Sequence, residues 1–446
     1  MKIMKKYTIV LDIVGLEEKH LDSKLLPVLS NIANQGESYK LKPVFPALTC
    51  PVQTSILSGE YPDKHGIIAN GFMDLNTNTV SFWEQYSSLV QVPRIWDFMK
   101  LRNPTLSTAV LFYQNSLYAN SDVIITPKPI HLEDEMVMWC YSKPLGFYEE
   151  ISKKIGDFDL SKYWGPFSSP ASSEWICQAT KYAIEKYTPN LLFTYIPHVD
   201  YSAQRFGKNS VQVREDLLKA DTLIDEIVQS TKKIGIFDDT RFIIFSEYSF
   251  NDVNGAININ LILRDNGFLS VRKIKGKEYV DFEFSKAFAV VDHQIAHIYI
   301  KQKRDIADVF NLLKNISDIE IIITGEEKQF YHINHERSGD IIAVSKRDKW
   351  FAYFWWYDID NAPNFTRRVD IHRKPGYDPL ELFFNSQTKS ISFDTSLIKG
   401  SHGRPYNPET LEGYSLYVSN TKTDIEKDSD NSINAISIGK QLIESV

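Results

Sequence analysis

The residues with the most chemical promise begin at Thr49, in Phe45-Pro46-Ala47-Leu48-Thr49-Cys50-Pro51. An extended run, Tyr39 to Phe45, meets a turn at Pro46. A short helix is expected to start near Thr49 and to end before Gly59. Threonine is a favoured helix cap, and Pro51 falls in the first turn, where its missing N–H costs nothing. A hydroxyl in that place also meets free backbone N–H groups and the positive end of the helix dipole, which suits a nucleophile or a bound phosphate. On this segment alone both readings stand, and caps are the commoner.

A second set of residues could bind a cation. Asp12 ends an apolar run, His198 lies two residues before Asp200, and Glu247 follows another apolar run. His293 and His297 are spaced i, i+4, so a helix or tight turn would aim both imidazoles at one ion. His198 and Asp200 would point the same way from an extended end, and Asp370 and His372 could do likewise. His402 sits in Gly400-Ser401-His402-Gly403. Carboxylate and imidazole donors without thiolate suit zinc, manganese or iron. Arg205, Arg373 and Arg404 offer planar forks for a phosphoryl oxygen. Arg404, two residues after His402, is the best placed. His20, His131, His332 and His335 read as surface or core residues.

These side chains need elements that bring them together. Tyr7 to Val14 is almost wholly apolar, as a strand covered on both faces should be. Asp22 to Gln35, Ser173 to Tyr187 and Val211 to Lys233 read as helices. Ser107 to Tyr113, Asn190 to Ile196 and Arg241 to Phe245 read as strands. The alternation predicts an α/β fold, a doubly wound and mostly parallel sheet with helices on both faces. Such sheets bind ligands at the carboxyl ends of their strands, where Asp12, Asp200 and Glu247 fall. Residues 1–446 are read as one domain, with 127–173 as an inserted cap over the site.

The chain has 446 residues, 43% of them hydrophobic, enough for one large core. Its formal charge of −7 carries no basic block, which argues against a nucleic-acid polymer as partner. Cys50, Cys140 and Cys177 show no disulfide or zinc-finger spacing. The basic start Met1 to Lys6 is followed by too short an apolar run, broken by Asp12, for a leader. No run reaches membrane-spanning length. A cytoplasmic protein without membrane contact is expected; the oligomeric state stays open.

The first seventy residues resemble the alkaline phosphatase superfamily, nearest its nucleotide pyrophosphatase/phosphodiesterase branch. The resemblance rests on Gly15-Leu16, on the helix Leu26-Pro27-Val28-Leu29-Ser30-Asn31-Ile32-Ala33-Asn34-Gln35-Gly36, on Phe45-Pro46-Ala47-Leu48-Thr49-Cys50-Pro51, and on Gly59-Glu60-Tyr61-Pro62-Asp63-Lys64-His65-Gly66-Ile67. It implies a small-molecule phosphate ester as substrate and Thr49 as nucleophile. It also implies one or two divalent metals, usually zinc, beside Thr49, with Asp200 and His402 among the ligands and Asn70 against the substrate phosphate. Four ligand positions depart from the pattern. Val14 replaces the first-strand Asp, Glu247-Tyr248 replaces an Asp-His pair, and Gln204 replaces a His. Asp12, Glu247, His198, His293 and His297 are the candidate substitutes. The expected function is a metal-dependent phosphodiesterase or nucleotide pyrophosphatase. The alternatives are a catalytically degenerate binding protein of the same fold and a phosphomutase-type isomerase.

Overall fold

The computed structural model describes residues 5–132 and 136–445. Residues 1–4, part of the basic start, and 133–135, inside the expected insertion, lie outside them. Among the described residues the apolar runs assemble a nine-stranded sheet. Its order is Ile433–Asn434, Glu37–Lys42, Ser415–Ser419, Thr240–Phe245, Tyr7–Ile13, Leu191–Ile196, Thr108–Leu111, Val123–Pro127 and Cys140–Lys143. Tyr7–Ile13 lies at the centre, parallel to both neighbours, with Asp12 in register with Tyr195 on one side and Phe245 on the other. Ser415–Ser419 runs antiparallel to both of its neighbours, and Cys140–Lys143 is antiparallel at the far edge. The fold is alkaline phosphatase-like, a large mixed, mostly parallel sheet flanked by helices, as expected.

Helices Ala171–Tyr187 and Val211–Lys233 bury their apolar stripes against this sheet, the second bounded as the sequence predicts. Helix Thr49–Ser58 is buried along its whole length. It ends at Gly59, whose φ of +70° is the left-handed conformation glycine favours. Gly439 of helix Ala435–Glu444 presses on it so closely that a Cβ there would lie 2.3 Å from the Ile56 carbonyl oxygen. A helix seated this tightly holds its first residue in one place.

A second core, which the sequence had not marked as a separate layer, forms largely from residues beyond Asn251. Its antiparallel sheet runs Ala287–Asp292, Ile295–Ile300, Ile341–Ser345, Ile319–Thr324. Trp350, Trp355 and Tyr353 are fully buried beside it. One strand of the expected insertion extends the large sheet's edge. Cys140–Lys143 pairs with Val123–Pro127, and helix Phe147–Ile155 packs behind it. Trp164 of this segment reaches the second core, donating its indole N–H to Glu381 at 2.6 Å and lying tilted against Tyr377.

Candidate active site

Strand ends, the Thr49 helix and the second sheet converge on one buried cluster. Leu48, not Thr49, is the helix cap residue, and it makes no side-chain cap bond. Thr49 is therefore the first helical residue, and its hydroxyl is free of the capping role the sequence left open. That hydroxyl lies 3.1 Å from the Tyr248 phenol oxygen. The next backbone N–H, of Cys50, donates to Asn70 Oδ1 at 3.0 Å. Asn70 in turn donates its backbone N–H and its side-chain amide to Asp292, at 2.8 and 3.2 Å. Asn70 stands beside Thr49 as expected, with its amide already engaged by protein.

Asp12 and Glu247 meet beneath Thr49, at the ends of adjacent parallel strands. Gln53, one turn along the helix, donates to Asp12 Oδ2 at 3.0 Å, its own carbonyl held by the Gln114 N–H at 2.8 Å. Both Glu247 oxygens and Asp12 Oδ1 are buried, with the Thr49 and Gln53 side chains beside Glu247. Burial, and then the neighbouring Glu247, hold the Asp12 carboxyl well above the usual carboxylate range. Burial likewise raises Glu247. Two carboxyl groups this close and dry share a proton in preference to ionising together.

Asp200 lies in the first turn of helix His198–Phe206, where the helix dipole favours a carboxylate. Gln204, one turn on, donates to Asp200 Oδ2 at 2.7 Å and accepts from the Tyr377 hydroxyl at 2.9 Å. Asp200 Oδ1 faces His402 Nε2 across 4.0 Å. His402 Nδ1 is 2.8 Å from the Ala47 carbonyl oxygen, so Nδ1 carries the proton and Nε2 is a bare lone pair. Both facing atoms are buried, with no hydrogen-bond partner among the described residues. Burial pushes Asp200 up to about 7 and His402 well down.

Four rings form a column above this pair. Tyr248 lies flat on His402 with centroids 3.6 Å apart, His402 meets His293 at a tilt at 3.9 Å, and His293 stacks on Tyr377 at 3.7 Å. His293 Nδ1 is 2.7 Å from Asp292 Oδ1. Thr49 beside the column is only 4% exposed.

Several expected ligands go elsewhere. His198 sits in a helix, not an extended end, and its Nε2 bonds the Asp216 carbonyl at 2.9 Å, away from Asp200's face. His293 and His297 are not on a helix: His293 occupies a tight β-turn with φ +58°, and His297 lies inside the following strand, its Nδ1 accepting from the Gly339 N–H at 3.2 Å. The hairpin separates the two imidazoles. Asp370 holds Arg373, and His372 meets the Phe82 carbonyl at 3.2 Å. Arg404 is drawn to Glu320 at 2.9 Å and to the Ser345 carbonyl. With Ala47, Ser249 and Arg347 it lines a cavity of about 240 Å3. Arg205 binds the carbonyls of Gly165, Pro166, Ser168 and Leu382. The sequence reading missed Gln53 and Tyr377 and saw Tyr248 only as a lost ligand; the Ser246-Glu247-Tyr248 turn after a strand was the available signal.

The donor set can be tested against the divalent metals the resemblance implies. Asp200 Oδ1 and His402 Nε2, two facing acceptors with no donor between them, offer a cation two donors and, among the described residues, no third. A second ion beside Thr49 does not fit: Val14 is buried and apolar, Gln53 occupies Asp12, and the Tyr248 phenol occupies the threonine hydroxyl. Among the described residues no three His, Cys, Asp or Glu side chains gather to hold a metal ion.

With this geometry in view, the sequence profile described as type I phosphodiesterase / nucleotide pyrophosphatase matches residues 8–378. The chain belongs to that family, within the alkaline phosphatase superfamily. It is 22% identical over 438 residues to ectonucleotide pyrophosphatase/phosphodiesterase 1 of Saccharomyces cerevisiae, covering 92% of this chain and 52% of that protein. It is 24% identical to bis(5'-adenosyl)-triphosphatase ENPP4 of Pongo abelii, covering 74% and 63%. The chain thus spans about half to two-thirds of the length of these relatives. Among solved structures, phosphonoacetate hydrolase from Sinorhizobium meliloti superposes with a TM-score of 0.64 at 15% identity, covering 99% of this chain and 96% of that one. Murine ENPP5 superposes with a TM-score of 0.61 at 14% identity, covering 98% and 94%.

Proposed function

We propose that this chain hydrolyses phosphoric ester or phosphoanhydride bonds of small molecules, with Thr49 as the nucleophile. The observation that carries the reading is the Thr49 hydroxyl: it starts a rigid helix, is not spent on capping, and lies between the Tyr248 phenol and the Asp12–Glu247 pair. The family's hydrolases of such bonds, and an inactive Thr-to-Ala variant of murine ENPP5 solved with AMP, support it. Thr49 Oγ1 attacks phosphorus as the ester oxygen leaves, and its proton passes toward the carboxylate pair through Glu247. Water then cleaves the phosphothreonine and returns the hydroxyl. The start of the helix, with its N–H groups and dipole, faces the charge that develops.

A divalent cation, zinc or manganese by its nitrogen and oxygen donors, would be held by Asp200 and His402 and would supply positive charge against phosphoryl oxygens. Gln204 and Tyr377 keep Asp200 turned toward it. Trp164 of residues 127–173 and the second sheet together form the cover. A cytoplasmic setting, in which the three buried cysteines stay reduced, belongs to the same proposal.

A second reading has its own support. Tyr248, Gln204 and Val14 stand at ligand positions, and the ring column leaves Thr49 buried. These features favour a binding protein of the same fold without turnover. Nitrophenyl phosphate mono- and diesters decide between them. Hydrolysis by the wild type, lost in Thr49→Ala, supports the first reading. Full retention in Thr49→Ala removes the nucleophile, and no hydrolysis by either leaves the binding protein.

A further inference from the structure

We propose that Tyr248 is a catalytic residue: its phenol O–H stays on Thr49 Oγ1 and stabilises that oxygen as it leaves phosphorus, when the phosphothreonine is hydrolysed. The proposal rests on Thr49 being the nucleophile, and it assigns the second step to a side chain so far given no part in the chemistry.

The direction of the hydrogen bond follows from its surroundings. The two oxygens lie 3.1 Å apart, and either can donate. Beside Thr49 is also the buried Glu247 carboxyl, which when ionised only accepts. The single hydroxyl proton of Thr49 therefore serves Glu247, and Oγ1 accepts from Tyr248. A phenol is protonated at neutral pH, and this one makes no other hydrogen bond among the described residues. Its ring is held on several sides. It lies flat on His402 at 3.6 Å and edge-on to Phe250 at 5.7 Å. The Tyr248 carbonyl accepts from Ser246 Oγ at 3.0 Å, and Ser246 Oγ accepts from the Leu16 N–H at 3.2 Å. Only 2% of Tyr248 is exposed. The donor is thus preorganised at the reacting atom.

Such a donor acts unequally on the two steps. In the first, Oγ1 forms its bond to phosphorus, the ester oxygen leaves with its electron pair, and the Thr49 proton goes to Glu247. Oγ1 gives up electron density, so a donor there is no help. In the second, water forms the new P–O bond and the P–Oγ1 bond breaks. The electron pair returns to Oγ1 and the proton on Glu247 follows it. The water keeps one proton as the phosphate hydroxyl and releases the other to solvent. Negative charge grows on Oγ1 in this step alone, and an interaction stronger in the transition state than before it is what accelerates. Removing one such donor costs about 100- to 1,000-fold.

The test is rapid-quench kinetics with a nitrophenyl phosphate ester, nitrophenol reporting the first step and the intact mass of the chain the second. Tyr248→Phe is expected to release one nitrophenol per chain at a rate within a few-fold of the wild type. It should then accumulate chain carrying one phosphoryl group on Thr49 and lose that group about 100-fold more slowly than the wild type. Replacing Tyr248 by p-aminophenylalanine, which keeps an N–H donor on the same ring, should hold both rates within a few-fold. Equal slowing of both steps in Tyr248→Phe would overturn the proposal, as would the absence of phosphorylated chain, or a slow second step with p-aminophenylalanine. Either variant decides if the other fails to fold. Turnover retained in Thr49→Ala sinks the nucleophile, and a wild type that releases no nitrophenol sinks both readings. Thr49→Ala inactive with Tyr248→Phe unchanged in both steps sinks this proposal alone.

Discussion

Asp200→Asn is expected to stabilise the metal-free protein at alkaline pH and to do nothing of the kind in acid. Burial moves the Asp200 carboxyl from about 3.8 to about 7. Its contribution to stability is therefore complete below pH 3.8 and is lost as pH rises through 7, because the folded state must then carry a buried charge that the unfolded chain solvates. Each tenfold change in acidity is worth about 1.4 kcal/mol, which puts the penalty at pH 8 at no more than about 4 kcal/mol. Unfolding entropy of about 2.1 cal/mol/K per residue amounts to about 0.9 kcal/mol/K for this chain. The asparagine keeps an oxygen for the Gln204 amide and presents an N–H to His402 Nε2. In EDTA at pH 8 the variant's Tm should exceed the wild type's by up to about 4 °C, and the gap should shrink steadily below pH 7 and close only near about pH 4. Differential scanning calorimetry across that range checks it. A variant that melts below the wild type at pH 8, or above it by the same margin at every pH, would refute the reading of Asp200 and His402 as two buried acceptors without a donor.

Other outcomes follow from the same geometry. Tyr248→Phe keeps the ring on His402 but strips a hydrogen bond from Thr49; it should cost about 0.5–1.5 kcal/mol, a Tm loss of about 1 °C, by the same calorimetry. Lys374, fully buried, is 2.7 Å from both Asp378 and Glu381; Lys374→Met leaves two buried carboxylates facing each other and should cost about 3–5 kcal/mol in denaturant unfolding. Arg205→Ala frees backbone carbonyls in the 165–168 turn and at Leu382, and limited proteolysis should cut that turn faster than in the wild type. Thr49→Ala should abolish nitrophenol release from nitrophenyl phosphate esters while far-UV circular dichroism stays unchanged.

The large sheet was legible because its strands are short apolar runs set between amphipathic helices, and each signal is local. Asp12, Thr49, Asp200 and Glu247 were legible as strand-end or helix-start residues, His402 and Asn70 only through the resemblance, and the fold brings these side chains near one another. The histidine assignments failed where local conformation was misjudged. His198 reads equally as strand end or helix start, and a helix turns it toward Asp216. The i, i+4 spacing of His293 and His297 means one face only on a helix, and the positive φ at His293 makes it a hairpin. The column of Tyr248, His402, His293 and Tyr377 draws on four separate stretches of the chain and leaves no local pattern.

The two cores are laced together through the site itself, by Gln204 to Tyr377 and by Asn70 to Asp292. Parting those seams strands an amide, a phenol and a carboxylate for as long as the gap lasts. Where entry to Thr49, only 4% exposed, needs that parting, association runs slower than orientation alone would make it.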